Sequence, residues 1–309
     1  MQIEELEKRL GGVWSATPTP FDEEMQVDEE SVARMVEHHL RLGVKGLFLA
    51  GTCGEGPWLT DGQRSKLIRA AVAASGGRLA IAVQVTDNSA PRVLDNMEAA
   101  RQAGADLAII APPYILMNAT AENVTAHFVE AIRQSPLPVG IYDRGKLNSV
   151  TITNESLATI YAEEKVITIK DSSADPERRE IGLEARRKRP ALRLLNGNEF
   201  RCAEYMRAGY DGLLLGGGIL HGHLANQLIA AVSAGNIDQA EEIEARMIRI
   251  MYAVYGGPQL ECRLSGLKYT MMKLGIFSTD KAILKIPLTD GCRAAIEDVI
   301  RTDGEVLLP

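Results

Sequence analysis

Short apolar runs alternate with longer amphipathic segments over the first two thirds of the chain. The runs are rich in β-branched residues and have the length of strands that are buried on both faces. The longer segments carry apolar residues at helical spacing, and some follow a residue that commonly caps a helix, such as Thr60 or Thr120. The predicted strands comprise residues 13–17, 46–50, 79–85, 107–111, 139–142, 166–170, 192–196 and 212–215.

Helices are predicted between most of these strands. Repeated strand and helix units with apolar strands indicate a parallel sheet covered by helices, and a count of eight favours closure over an open sheet. No GxGxxG sequence follows the first strand, which argues against a dinucleotide-binding fold. We therefore predict the α/β class and a (β/α)8 TIM barrel. The predicted helices comprise residues 28–42, 61–74, 90–103, 121–134, 154–163 and 199–208.

The pattern changes after the eighth strand. Residues 223–234, 237–255, 262–274 and 291–301 all have helical spacing, and no strand lies among them. This is more than one closing helix. We therefore predict two units, a barrel over residues 1–222 and a C-terminal helical extension over residues 223–309 that packs on the barrel.

The composition argues against several classes of binding partner. The net charge of −7 and the mixing of basic with acidic residues give no basic field for nucleic acid. No apolar run is long enough to cross a bilayer, and the charged N-terminus lacks a signal-peptide core. The four cysteines form no CxxC pair, and the histidines, expected at helix surfaces or caps, lack ligand spacing. We expect a cytoplasmic protein without a metal, nucleic-acid or membrane partner.

Lys170 is the last residue of the sixth predicted strand, whose sequence is Val-Ile-Thr-Ile-Lys. Because side chains alternate across a strand, Val166, Thr168 and Lys170 are expected on one face, and Ile167 and Ile169 on the other. If the first face points into the barrel, burial disfavours the ammonium of Lys170 and makes a neutral, nucleophilic amine accessible. Schiff-base chemistry on a ketone requires such an amine. The alternative is a lysine that stays solvated at the rim.

Active sites of such barrels lie at the carboxyl ends of the strands. There, the glycines around Thr52 and Cys53 could present backbone N–H groups to a carboxylate, although a tight turn also explains them. Tyr142 is either a general acid/base or a rim aromatic with a satisfied hydroxyl. Glycines 216–218 follow the last strand and either bind an anion or make a close turn.

The order of these motifs resembles the dihydrodipicolinate synthase / N-acetylneuraminate lyase family. The resemblance rests on residues 51–55 (Gly-Thr-Cys-Gly-Glu), Tyr142 and residues 169–172 (Ile-Lys-Asp-Ser), and extends to residues 16–21 and 103–106. It therefore covers essentially the whole chain. It implies a barrel with a C-terminal helical extension, a homo-oligomer that is usually a tetramer, and catalysis without a metal or organic cofactor.

The resemblance also implies roles by position. Lys170 would form an imine with a 2-keto acid, commonly pyruvate, and Tyr142 would move the proton to and from the reacting atom. Thr52 would link Tyr142 to solvent or substrate, and the N–H groups of Thr52 and Cys53, beside Gly51, would hold the carboxylate. These roles agree with the chemistry, because a protonated imine stabilises the enamine that forms on C–C cleavage or proton loss.

Departures from the family pattern concern the substrate. Members that make dihydrodipicolinate have a second Thr or Ser where this chain has Cys53, and a tyrosine pair where it has Tyr114-Ile115. They also carry an Arg a few residues after the catalytic Tyr, where residues 143–148 read Asp-Arg-Gly-Lys-Leu-Asn. Arg144 or Lys146 is the candidate here to hold a distal carboxylate. Gly217 is a further candidate for substrate binding.

Three hypotheses of function follow. The first is a Schiff-base lyase that cleaves or condenses a 2-keto acid of the pyruvate type or a 2-keto-3-deoxy sugar acid. The second keeps the imine but removes water, as in a dehydratase similar to the one that acts on 5-dehydro-4-deoxyglucarate. The third is a sugar-acid-binding regulator without turnover, suggested by Cys53. The thiol of Cys53 is either reactive or a small filler that replaces a hydroxyl.

Overall fold

The structure, a computed structural model, describes all residues from 1 to 309. Eight parallel strands pair in chain order, and the last pairs with the first to close a barrel. This confirms the predicted (β/α)8 barrel. The strands are β1 (Gly12–Ala16), β2 (Gly46–Leu49), β3 (Ala80–Gln84), β4 (Leu107–Ile110), β5 (Val139–Asp143), β6 (Val166–Asp171), β7 (Arg193–Asn196) and β8 (Gly212–Leu215).

Twelve helices surround the barrel and its ends. Most of the predicted helices begin within one residue of the predicted start, and five of these have a capping side chain there. Thr60, for example, accepts a hydrogen bond from the backbone of Gln63, whose side chain binds back to the Thr60 backbone. The helices are α1 (Ile3–Arg9), α2 (Glu29–Arg41), α3 (Asp61–Ser75), α4 (Ala90–Gln102), α5 (Ala121–Gln134), α6 (Asn154–Tyr161), α7 (Pro176–Lys188), α8 (Cys202–Arg207), α9 (Gly218–Ser233), α10 (Ile237–Tyr255), α11 (Arg263–Lys273) and α12 (Asp290–Leu307).

Two helices, α1 and α7, are absent from the sequence prediction. Most residues of α7 are charged, so the apolar stripe that reveals an amphipathic helix is missing. Its start is nevertheless well defined, because the Asp175 carboxylate accepts a hydrogen bond from the Glu177 backbone and Pro176 occupies the first turn. The helix completes the strand and helix alternation between β6 and β7.

The expected alternation along β6 is wrong at its first two residues. The pairing with β5 shifts between Val139 and Gly140, so that Val166 and Thr168 oppose consecutive residues of β5 and Ile167 is the extra residue of a bulge. Val166 therefore packs in the outer core and Ile167 against the barrel interior. Beyond the bulge the predicted alternation returns, which leaves Lys170 on the inward face.

Two clusters of buried apolar residues stabilise the fold. The larger cluster, of 71 buried residues, lies mainly between the strands and the surrounding helices. The smaller, of 13 buried residues, fills the barrel interior and includes Trp14, Phe48 and Tyr142, with Leu6 and Leu10 from the α1 segment. The interior is therefore a packed core that leaves the strand ends as the place for a site.

The C-terminal segment is helical, as its pattern predicts. The helix α9 begins at Gly218, the last of the three glycines that follow β8, so it runs across the predicted boundary at residues 222 and 223. The division of the chain into two units stays a prediction.

None of the twelve helices combines the length and the apolar character that crossing a bilayer requires.

The expectation that the histidines lie at helix surfaces or caps is wrong for three of them. His38, His39 and His221 are fully buried. One ring nitrogen of His38 lies 2.7 Å from the Ile219 carbonyl oxygen, and one of His39 lies 2.7 Å from that of Met35. Burial lowers the pKa of His38 to about 4 and that of His39 to about 3, so both are neutral core residues at neutral pH.

Candidate active site

A cavity of about 480 Å³ opens at the carboxyl ends of the strands. Its position agrees with the rule that sites of such barrels lie at this face. Gly51 and Gly217 lie beside the cavity without lining it, and Lys146 is exposed and also outside it. The predicted site residues that line the cavity are Thr52, Cys53, Tyr142, Arg144 and Lys170.

Lys170 is buried beside two aromatic rings. The strand register makes Lys170 the direct neighbour of Tyr142 on β5, and only 4% of the lysine is exposed. Its Nζ lies 4.4 Å from the ring centroid of Tyr142 and 4.9 Å from that of Phe48. Burial lowers the pKa of Lys170 below its ordinary value, although nearby groups such as Tyr142 and Glu199 oppose the shift. A neutral amine is therefore easier to form here than on an ordinary lysine.

Tyr142 has a pKa below that of an ordinary phenol. Burial alone would raise the pKa, but the positive charges of Lys170, Arg144 and Arg263 together outweigh burial. A phenol that ionises more readily next to an amine can exchange a proton with groups bound at that amine. The pair therefore has the chemistry of a nucleophile with an adjacent acid/base.

Gly197, which follows β7, makes room for the lysine side chain. A Cβ atom at this position would lie 2.9 Å from Cε of Lys170 and 2.1 Å from Oγ of Ser172. Both distances are shorter than van der Waals contact allows. A larger residue at this position would therefore force the side chain of Lys170 or Ser172 to move.

The loop after β2 presents free backbone donors to the cavity. The N–H groups of Thr52 and Cys53 make no hydrogen bond within the protein. Ala50 and Glu55, on either side of the loop, have φ angles of 53° and 58°, in the left-handed region that costs energy for residues other than glycine. Such a shaped turn with unused N–H groups is suited to bind an anion.

The side chains of the same loop give less support for a proton relay. No hydrogen bond joins the Thr52 hydroxyl to Tyr142, and this link stays a prediction. Burial raises the pKa of the Cys53 thiol to about 11, so the thiol is protonated at neutral pH. This favours the interpretation of Cys53 as a small filler over that of a reactive nucleophile.

The last residue of β5 and the residues that follow it lie in two places, the helix layer and the cavity. The Arg144 guanidinium donates a hydrogen bond to Oδ1 of Asn148 at 2.5 Å, and its Cζ lies 5.9 Å from the Tyr142 ring centroid. Asp143 points to the opposite side of the strand, where it accepts a hydrogen bond from buried Arg178 at 2.7 Å. Asp143 therefore supports the fold, and Arg144 is the charged side chain of this segment that reaches the cavity.

Glu199 and Arg263 also line the cavity and were missed in the sequence analysis. Oε2 of Glu199 accepts a hydrogen bond at 2.7 Å from the backbone N–H of Gly217, a residue predicted to bind substrate, so this N–H is already engaged. Oε1 of Glu199 lies 3.6 Å from Nη2 of Arg263. The strand-end rule could have found Glu199, but residues 199–208 were assigned to a helix. Arg263 belongs to α11, and no motif marks it.

A buried ion pair fastens the glycine loop to the C-terminal segment. Lys268, on α11, donates hydrogen bonds to Glu55 and, at 2.8 Å, to the Lys281 carbonyl oxygen. The other carboxylate oxygen of Glu55 accepts hydrogen bonds from the backbones of Ile283 and Leu284 at 2.6 and 3.0 Å. Glu55 is thereby held by two separate parts of the C-terminal segment, which fixes the loop that carries the free N–H groups.

The fold and the site together define an α/β-barrel protein with a buried lysine, a tyrosine and a loop with unused backbone N–H groups at its strand ends. The model of the dihydrodipicolinate synthetase family matches residues 9–300. The chain therefore belongs to this family, whose members are lyases.

Individual relatives are distant but match over nearly their full length. A 4-hydroxy-tetrahydrodipicolinate synthase of Jannaschia sp. is 27% identical over 90% of this chain and 93% of its own. The protein of that name from Bartonella bacilliformis is 25% identical over 96% of this chain and 98% of its own. The structure of dihydrodipicolinate synthase from Bacteroides thetaiotaomicron has a TM-score of 0.85 and 26% identity, covering 94% of this chain and 98% of that one.

Proposed function

We propose that the protein is a Schiff-base-forming lyase that cleaves or condenses a 2-keto acid of the pyruvate type, with Lys170 as the amine. The observation that carries this proposal is the burial of Lys170 beside Tyr142 in a cavity that is also lined by Thr52 and Cys53, whose backbone N–H groups make no hydrogen bond. A nucleophile, an acid/base and a carboxylate site are the three parts that imine formation with a 2-keto acid needs.

The proposed reaction begins with the carboxylate of the 2-keto acid on the N–H groups of Thr52 and Cys53. The neutral amine of Lys170 attacks the keto carbon, the keto oxygen leaves as water, and a protonated imine forms. Loss of a proton or a C–C bond at the next carbon gives an enamine, whose electron pair the imine nitrogen accommodates. Tyr142 carries the proton between the reacting carbon or oxygen and its surroundings, and water finally releases the free amine.

The proposed substrate is not the one that the names of the relatives imply. The resemblance places a carboxylate-binding Arg a few residues after Tyr142 in members that make dihydrodipicolinate, and in that segment the apolar Leu147 lines the cavity. Cys53 replaces a hydroxyl residue, and a thiol is a weaker hydrogen-bond donor and acceptor than a hydroxyl. We therefore propose another 2-keto acid as the substrate.

Incubation with a 4-hydroxy-2-keto acid tests the reaction type. We expect pyruvate to be released at a rate in the ordinary enzymatic range of about 1–10³ s⁻¹ with a good substrate, as measured with a lactate dehydrogenase coupled assay. An unsaturated keto acid formed without pyruvate would instead identify the dehydratase alternative. Binding without any product would identify the regulator alternative.

The Gly197→Ala variant tests the placement of the lysine. The added methyl group must displace Cε of Lys170 or Oγ of Ser172, and a misplacement of about 1 Å at a reacting group costs about 10²-fold in rate. We expect kcat/KM to fall by about that factor. Gly291→Ala is the control, because a Cβ there meets no atom within 4 Å. Equal activity of the two variants would contradict the assigned position of the amine.

We further propose that the protein works as a homo-oligomer on a small-molecule substrate in the cytoplasm. Ile115 and Met117, in the loop after β4, are 65% and 86% exposed, and such large apolar side chains are typical of an interface. The four cysteines are unpaired, which is typical of a reducing compartment.

A further inference from the structure

The cavity around Lys170 has two sides of different chemistry. The strand ends and the glycine loop provide a polar floor, which holds the amine, the phenol and the free N–H groups. A second part of the lining, here called the apolar wall, comes from the segments after β5 and β7 and from the C-terminal part of the chain. The apolar wall consists of Leu147, Phe200, Leu260, Leu264, Leu284 and Ile286.

The apolar wall is only partly covered by the protein itself. Leu264 is buried, Phe200, Leu260, Leu284 and Ile286 are half-buried, and Leu147 is 69% exposed. Apolar side chains grouped around one cavity stay unfavourably in contact with water until a ligand covers them. The wall is continuous with the floor that holds Lys170, so its ligand is part of the molecule that reacts there.

Three of the four charged or amide side chains beside the wall make hydrogen bonds within the protein, and the fourth, Arg263, lies 3.6 Å from Oε1 of Glu199. Arg144 donates to Asn148 at 2.5 Å, and Glu199 accepts from the Gly217 backbone at 2.7 Å. Oδ1 of Asn198 accepts from the backbone of Phe200 at 3.1 Å. A polyhydroxylated chain lying on the wall would give up water and find few free partners, and unpaired polar groups weaken binding.

Resting on the proposed function, we infer that the aldehyde-derived half of the substrate is an apolar group, aromatic or branched aliphatic, that binds to the apolar wall. In condensation, the enamine carbon forms a bond to the aldehyde carbon and the aldehyde oxygen takes up a proton. Water then hydrolyses the imine, which frees the amine of Lys170 and a 4-hydroxy-2-keto acid that bears the apolar group on C4. Cleavage breaks the same C–C bond in the reverse sequence.

Aldehyde specificity with pyruvate tests the inference on the parent protein. We expect kcat/KM for benzaldehyde or isovaleraldehyde to exceed that for D-glyceraldehyde by about tenfold or more, a difference that a hydrophobic pocket can produce. Product formation is followed by mass spectrometry and pyruvate consumption. A preference for D-glyceraldehyde, or equal rates, would overturn the inference.

A matched pair of variants tests the wall itself. Ile286→Asn places an amide in the wall, whereas Ile3→Asn makes the same change at an exposed position on α1, at the other end of the barrel. We expect the ratio of kcat/KM for benzaldehyde to that for D-glyceraldehyde to fall about tenfold in Ile286→Asn and to stay at the parent value in Ile3→Asn. Leu147→Gln, at an exposed position of the wall, is a second variant with the same expected direction. An unchanged ratio in both wall variants would overturn the inference.

Trapping with borohydride separates this inference from the proposed function. If the parent forms a reduced pyruvate adduct but prefers D-glyceraldehyde, the inference is wrong and the lyase proposal stands. If no adduct forms with pyruvate at all, the proposed function fails, and the inference fails with it.

Discussion

The Lys170→Arg variant is expected to lose turnover of 2-keto acids by about 10⁴-fold or more. A guanidinium keeps its proton in proteins and so cannot supply the neutral amine that attacks the keto carbon. The substitution retains a positive charge beside Tyr142. The loss of activity is therefore expected to come from the missing nucleophile and not from a change of charge at the site. Steady-state kcat/KM with the substrate found for the parent is the measurement.

Lys188→Arg serves as the control for this variant. Lys188 lies at the exposed end of α7, where its side chain is 73% exposed. The same change there is expected to leave kcat/KM at the parent value, and circular dichroism shows whether both variants fold. A Lys170→Arg variant that turns over at the parent rate would eliminate the imine from the proposed reaction.

The Lys268→Met variant is expected to lose about 3–5 kcal/mol of the free energy of unfolding, because it leaves one partner of a buried ion pair without its opposite charge. Glu55 and Lys268 are both fully buried, and methionine fills a volume similar to that of the lysine stem without replacing its charge. Unfolding in urea, followed by circular dichroism, gives the free energy.

Two further variants test whether the lost ion pair causes the loss of stability. The double variant Glu55→Gln/Lys268→Met is expected to lose less than the sum of the two single variants, because contacting partners are not additive. Lys273→Met is the matched control, since Lys273 lies on the same helix and pairs with Glu297 at the surface. This change is expected to leave stability nearly unchanged, because exposed ion pairs contribute little. A Lys268→Met variant as stable as the parent would refute the importance of the buried pair.

The architecture could be predicted from the sequence because strands of a parallel barrel are buried on both faces and form continuous apolar runs. The same property hides small irregularities. The bulge at Ile167 leaves no trace in an apolar run, so the faces of Val166 and Ile167 were assigned wrongly, whereas Lys170 lies beyond the bulge. The helix α7 was missed for the opposite reason, since its charges leave no apolar stripe to detect.

The candidate site could be predicted only where it follows a strand directly. Thr52, Cys53, Tyr142 and Lys170 all lie at strand ends, and the structure brings them to one cavity. Arg263 and most of the apolar wall come from segments whose position depends on how the C-terminal helices pack on the barrel. Periodicity predicts that these helices exist but not which of their residues reach the cavity.

Borohydride reduction in the presence of pyruvate, followed by intact mass measurement and peptide mapping, tests the imine most directly. We predict one reduced pyruvate adduct per chain, located on Lys170, and no adduct in the Lys170→Arg variant. An unmodified parent, or an adduct on another lysine with Lys170 intact, would contradict the assignment of this residue as the reacting amine.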